Sequence, residues 1–269
     1  MGLKIKTNKM RCDIFLKMPW AAQSCSSPLA WLPLQMKRDE VNLNLNLIDR
    51  MPTGIPGLDN MMEGGLPKPS IILLAGDAGA GKTTFCTQFL CKGADLGERG
   101  LYLLTFGGPP DLLFKYATSY EFVKSAYFGK EICYIVLEEV VEEACRSKEI
   151  LEVLEREIDA LQPARIVIEN LSVLGDILKD DYGRFLFKLS HLIKAKKVVA
   201  LIAEDSEPDA PYPAPIAQVA DGIILLQNDE INFSRRRSIE VLKMCGTSHH
   251  AGKYAVDISV KGLTVYPGL

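Results

Sequence analysis

One stretch of the sequence places residue types at a spacing that does recognisable chemistry: Gly76-Asp77-Ala78-Gly79-Ala80-Gly81-Lys82-Thr83-Thr84. It satisfies G-x-x-x-x-G-K-[ST], in which glycines let the main chain curl until successive N–H groups face one anion. Lys82 then brings a point charge to the β- and γ-phosphates of a nucleotide, and Thr83 offers its hydroxyl to Mg2+. The expected ligand is Mg-ATP, with GTP left open, and every residue from Gly76 to Thr84 is a candidate contact. A chance glycine turn ahead of a helix would carry the same letters. Here a short apolar strand, Ile71 to Ala75, precedes the loop, and a helix bearing Phe85, Phe89 and Leu90 follows it. That is the setting phosphate binding requires, because the helix N-terminus adds positive potential.

A metal-bound triphosphate also needs an acid at the end of a neighbouring strand. Arg165-Ile-Val-Ile-Glu169 ends a predicted strand in acid, so Thr83 and Glu169 are the candidate metal residues, with glutamate standing where aspartate is more usual. Glu204 and Asp205 follow a strand ending at Ala203. Glu204 is a reserve candidate, beside Glu169, for assisting a water molecule. The favoured expectation is blander: two exposed acids opening the Pro-rich loop Ser206 to Pro215.

These residues need a scaffold, and the hydrophobic pattern predicts one. Strands are expected at Ile71 to Ala75, Leu101 to Phe106, Ile132 to Leu137, Ile166 to Glu169, Val198 to Ala203 and Ile223 to Gln227. All are short aliphatic runs of the kind buried on both faces of a parallel sheet. Between them, Ile150, Leu151, Leu154, Ile158 and Leu161 fit a helical period, as do Phe185, Leu186, Leu189, Leu192 and Ile193. Beyond Gln227 the helical pattern stops, and Ser238 to Met244, Tyr254 to Ile258 and Leu263 to Tyr266 predict an antiparallel extension. The fold class is therefore α/β, a mostly parallel central sheet flanked by helices with a C-terminal antiparallel extension.

Composition excludes more than it identifies. The 269 residues carry a formal net charge of -3, so no global basic field points to nucleic acid. Seven cysteines without C-x-x-C pairs argue against a disulfide framework or a zinc ribbon, and predict reduced thiols in the cytoplasm. No apolar run reaches the length of a membrane span. Residues 1–40 are expected to be a disordered or mis-started extension, and 41–269 the folded domain, opened by an alternating strand from Val41 to Ile48. Arg235-Arg236-Arg237, near an expected hairpin, is expected to be a charged, solvated turn, with contact to nucleic-acid phosphates as the disfavoured alternative. Lys194, Lys196 and Lys197 need no partner beyond a helix dipole, while His191 reads as a packed or half-exposed residue, and Tyr116 and Tyr120 as helix packing.

Several motifs in order carry a resemblance: Met51-Pro-Thr-Gly-Ile-Pro-Gly-Leu-Asp59, Gly64-Gly-Leu-Pro67, the phosphate loop, Val219-Ala-Asp-Gly222, and Lys243-Met-Cys-Gly-Thr-Ser-His249. From about Leu47 to Pro267 the chain resembles the KaiC branch of the RecA superfamily of P-loop ATPases. The resemblance implies a RecA-like fold and a homo-oligomeric ring, commonly a hexamer, with ATP and Mg2+ held between subunits. It implies too that Lys243 and His249 reach a neighbouring subunit's nucleotide. Two departures stand out. Gly107-Gly108 occupies the place of the family's paired catalytic glutamates, and Cys245 that of an arginine that would stabilise charge on the transferred phosphoryl group. The expectation is an ATP-binding protein in which occupancy acts as a switch or assembly ligand, with a module that passes nucleotide state to an unnamed protein partner as one form of it. A slow ATPase of the same fold and a RecA-like DNA-binding recombination protein are the alternatives, the latter disfavoured by charge.

Overall fold

The computed structural model describes residues 48–104, 110–137, 140–141, 147–206, 210–231 and 234–266, with the backbone alone for 110–112 and 231. A nine-stranded sheet organises them, in the order β11-β10-β9-β8-β3-β7-β6-β4-β5. The parallel part comprises β5 (Ile132–Val136), β4 (Gly100–Leu104), β6 (Arg165–Glu169), β7 (Val199–Asp205), β3 (Ser70–Gly76) and β8 (Gly222–Ile231). Three antiparallel strands continue it: β9 (Ser234–Met244), β10 (Lys253–Ser259) and β11 (Gly262–Tyr266). A separate two-stranded ribbon pairs β1 (Arg50–Met51) with β2 (Leu66–Pro67).

Side chains alternate across each strand, so the sheet divides the core in two. On one face, Ile72, Leu74, Val167, Leu201 and Ala203 pack with Phe85 and Phe89 of α1 (Lys82–Asp95). On the other, Leu73, Ala75, Ile166, Ile168 and Ile202 pack with Ile150, Leu154 and Ile158 of α3 (Ser147–Leu161) and with Phe185, Leu189 and Ile193 of α5 (Tyr182–Ala195). Shorter helices among the described residues include α2 (Pro110–Ala117), α4 (Val173–Leu178) and α6 (Ala214–Val219).

One large charged side chain lies inside the first layer. Arg165, at the start of β6, is fully buried against the Phe89 ring, with its guanidinium carbon 4.6 Å from the centroid. It donates to Glu98 at 2.7 Å, to the Pro52 carbonyl at 2.8 Å and to the Phe89 carbonyl at 2.9 Å. It thereby ties the entry segment, α1 and the central sheet together, and a planar fork of fixed donors suits that task better than an ammonium.

The expected elements appear with shifted ends. β8 and β9 extend past their predicted limits into a long hairpin, and Arg235, Arg236 and Arg237 are exposed strand residues, not a turn. Their partners Glu230, Asp229 and Asn228 are polar too, so this stretch lacks the apolar alternation that signals a strand. Lys194 and Lys196, expected to need no partner, pair with Asp221 at 2.8 Å and Asp159 at 2.6 Å. The expectations for residues 1–40 and for most of the Val41 to Ile48 strand lie outside the described residues, as do Gly107 and Gly108. Among the described residues, no helix is long and apolar enough to cross a membrane, and no group of three His, Cys, Asp or Glu could hold a metal.

Candidate functional site

The carboxyl ends of β3, β7 and β6 open on one cleft of ≈ 510 Å3, lined by the phosphate loop and α1 together with Glu169, Asn170, Ala203 and Asp205. β3 delivers the chain to the loop at Gly76, where any side chain would strike the Leu226 carbonyl, 2.1 Å from an added Cβ. Gly81 then caps α1 with φ 109, a left-handed conformation that glycine adopts without strain. No side chain caps α1, so its first N–H groups are open to an anion in the cleft.

Within the predicted loop the residues divide by role. Ala78, Gly79, Gly81, Lys82, Thr83 and Thr84 line the cleft, whereas Gly76, Asp77 and Ala80 support it from behind. Asp77 accepts from Ser206 Oγ at 2.7 Å and from the Asn228 amide at 2.8 Å, fastening the loop to β7 and β8. Ala80 is buried, and its amide returns to the Asp77 carbonyl at 3.1 Å.

Glu169 faces Lys82 and Thr83 across the cleft. Burial pushes its carboxyl above the ordinary range, against hydrogen bonds from Tyr102 and Thr83 and the charge of Lys82. Its strand is not next to β3, as the sequence pattern implied; β7 lies between them. A long glutamate spans that gap where a shorter acid would reach less far. A hydroxyl and a carboxylate meeting beside an open anion cradle are the hard oxygen donors that Mg2+ takes, so these residues fit the metal the fold implies.

Glu204 is placed differently from both of its expectations. It is neither an exposed loop acid nor a group near the phosphate loop: it is 3% exposed and lies on the opposite face of the sheet. Ala203 and Asp205 point toward the cleft, so alternation sends Glu204 to the far side. There it accepts from the Ser172 amide at 3.0 Å and from the Ser172 hydroxyl, and burial pushes its carboxyl up to about 7.

Three further cleft residues were not among the predicted site residues. Tyr120 lies beyond the end of α2, not within helix packing, and its hydroxyl is 3.0 Å from Thr84 Oγ1. Arg237 reaches in from β9, its Nε donating to the Gly79 carbonyl at 3.3 Å. Ile258 comes from β10. Only chain crossings between remote segments bring them here, although the Arg235 to Arg237 cluster marked the right hairpin. His191 is exposed beside Phe187, away from the cleft.

Lys243 and His249 do not line the cleft. Lys243 donates to the Ala220 carbonyl at 2.7 Å, at the far end of β9 from Arg237. Six residue steps along the strand set the two about 20 Å apart, so Lys243 cannot serve the nucleotide site of its own chain. Cys245 is exposed just beyond it.

A phosphate loop between β3 and α1, a parallel sheet ordered around it and an acid two strands away define a RecA-like P-loop protein. The chain belongs to the KaiC ATPase family, whose model matches residues 51–269. It is 32% identical over 238 residues to a UPF0273 protein of Thermotoga maritima, covering 82% of this chain and 97% of that one. It is 30% identical over 233 residues to the circadian clock protein KaiC3 of Synechocystis, covering 82% of this chain but 46% of that longer one. The crystal structure of a KaiC-like protein from Pyrococcus horikoshii superposes with a TM-score of 0.72 at 27% identity, covering 82% of this chain and 100% of that one.

Proposed function

We propose that the chain binds Mg-ATP in this cleft and uses occupancy as a switch or assembly ligand, with weak or absent hydrolysis. The observation that carries the reading is the convergence, in one cleft, of the open α1 N-terminus, the Lys82 ammonium and the Thr83–Glu169 pair. Main-chain amides and Lys82 hold the phosphates, while Thr83 and Glu169 hold the metal. When bound, Mg2+ would neutralise charge between the terminal phosphates. Tyr120 braces Thr84 and closes one wall of the cleft.

Weak turnover follows from the sequence. Gly107 and Gly108 have no side chain to orient or deprotonate water, and loss of such a base lowers a rate by about 10² to 10⁴. Glu204 cannot substitute, because the sheet stands between it and the cleft. Lys243 lies too far from its own cleft to touch the nucleotide, so any role there belongs to a second copy of the chain. A nucleotide shared between copies stabilises the assembled state alone, which lets occupancy drive assembly without chemistry.

The test is calorimetric titration with ATP and magnesium, beside native mass and phosphate release on one preparation. Lys82→Ala should weaken binding about a hundredfold, or about 2.7 kcal/mol, and abolish any nucleotide-dependent gain in mass. No heat from any purine triphosphate would refute nucleotide binding. Rapid phosphate release abolished by Lys82→Ala would refute the switch and leave an ATPase.

A further inference from the structure

We propose that Asp205 is a built-in rival of the terminal phosphate for Lys82, and so sets how strongly the cleft prefers a triphosphate to a diphosphate. This rests on the nucleotide reading above and adds a residue that the loop motif does not contain.

An ammonium group has three N–H donors and no more. Two of those on Lys82 go to main-chain carbonyls of its own loop, Gly76 at 2.8 Å and Asp77 at 2.9 Å. The third goes to the Asp205 carboxylate at 2.7 Å. All three donors are therefore engaged, and a phosphate oxygen reaches the ammonium by replacing one partner. The carbonyls are fixed in place: Gly76 belongs to the β3–β7 ladder, and the Asp77 carbonyl is also held by the Ala80 amide. Asp205 is the partner that yields, because its side chain is 68% exposed while that of Lys82 is 12% exposed.

Yielding does not remove the charge. The Asp205 backbone is paired with Gly76 across the ladder, and the next residue is fastened twice, Ser206 N to the Gly76 carbonyl at 3.0 Å and Ser206 Oγ to Asp77 at 2.7 Å. Only the side-chain torsions can turn. The carboxylate therefore stays on the cleft wall that the terminal phosphate approaches, beside Glu169, and the two like charges repel. Arg237, which lines the same cleft and donates to the Gly79 carbonyl, brings positive charge that offsets part of this. A diphosphate brings less charge and fewer oxygens, and is penalised less.

The experiment measures dissociation constants of the full chain for ATP and for ADP, both with magnesium, in the native protein, Asp205→Asn and Asp205→Ser. Both variants should tighten ATP about tenfold and ADP about threefold or less, since each tenfold corresponds to about 1.4 kcal/mol of relieved competition. Two substitutions are needed because an asparagine amide could itself donate to phosphate, whereas serine tests loss of charge with a different group. ATP affinity that is unchanged or weaker in both variants, or ATP and ADP tightened equally, overturns the proposal while leaving nucleotide binding intact. Absence of binding in the native protein and variants alike overturns both.

Discussion

Glu204 and Asp205 are adjacent in sequence and alike in chemistry, yet they occupy different environments. Asp205 stands in the open cleft against an ammonium group, while Glu204 is sealed beneath the sheet with Ser172 as its partner. A single step along a strand turns a side chain to the opposite face, and here it separates a group able to meet a ligand from one that holds the fold. The contrast shows that an acid at a strand end is assigned by parity, not by proximity in sequence.

The sharpest way to break that contrast is pH. The Glu204 carboxyl, raised mainly by burial to about 7, ionises later in the folded chain than in the unfolded one. Its contribution is thus fully present below about 4.5 and lost as pH rises through about 7, a swing of about 3 kcal/mol. In Glu204→Gln the dependence of unfolding free energy on pH across this window should flatten, as denaturant titrations at several pH values would show. An unchanged slope would mean that Glu204 is not sealed.

Truncation comes next in size. Glu204→Ala leaves the Ser172 amide and hydroxyl without their acceptor, at a cost of about 2 kcal/mol in chemical denaturation, with ATP affinity retained. Thr83→Ala should leave stability within about 0.5 kcal/mol, yet erase the magnesium dependence of ATP binding measured by calorimetry. The stability effect of Asp205→Asn is small as well. An exposed ion pair contributes little, so the midpoint of thermal unfolding should correspond to a change below about 1 kcal/mol. If Asp205→Asn destabilised the fold more than Glu204→Ala, the assignment of the two acids would be reversed.

Much of this site was legible because its chemistry is local. Gly76 to Thr84 lie on consecutive residues, and the strand before them and helix after them are written in adjacent apolar runs. Glu169 could be found because it closes one of those runs. The motif Met51 to Asp59 was recognisable as well, and its physical role is bracing: Asp59 accepts from the Thr53 amide at 2.9 Å and from its hydroxyl at 2.6 Å. Asp221, from the Val219 to Gly222 motif, likewise braces the start of β3 by accepting from the Ile71 amide at 2.9 Å. Tyr120 and Arg237 were hidden because each reaches the cleft from a different part of the chain, and nothing in their immediate neighbours records that meeting.

The sequence by itself determined the phosphate-loop motif, the alternation of strands and helices and the family, since each depends on residues close together along the chain. Tertiary structure alone decided that Asp205 and not Glu204 faces Lys82, that β7 stands between the loop strand and Glu169, and that Lys243 lies remote from its own cleft. Those outcomes depend on strand order, register and the face each side chain takes, and such quantities are fixed only when distant segments pair.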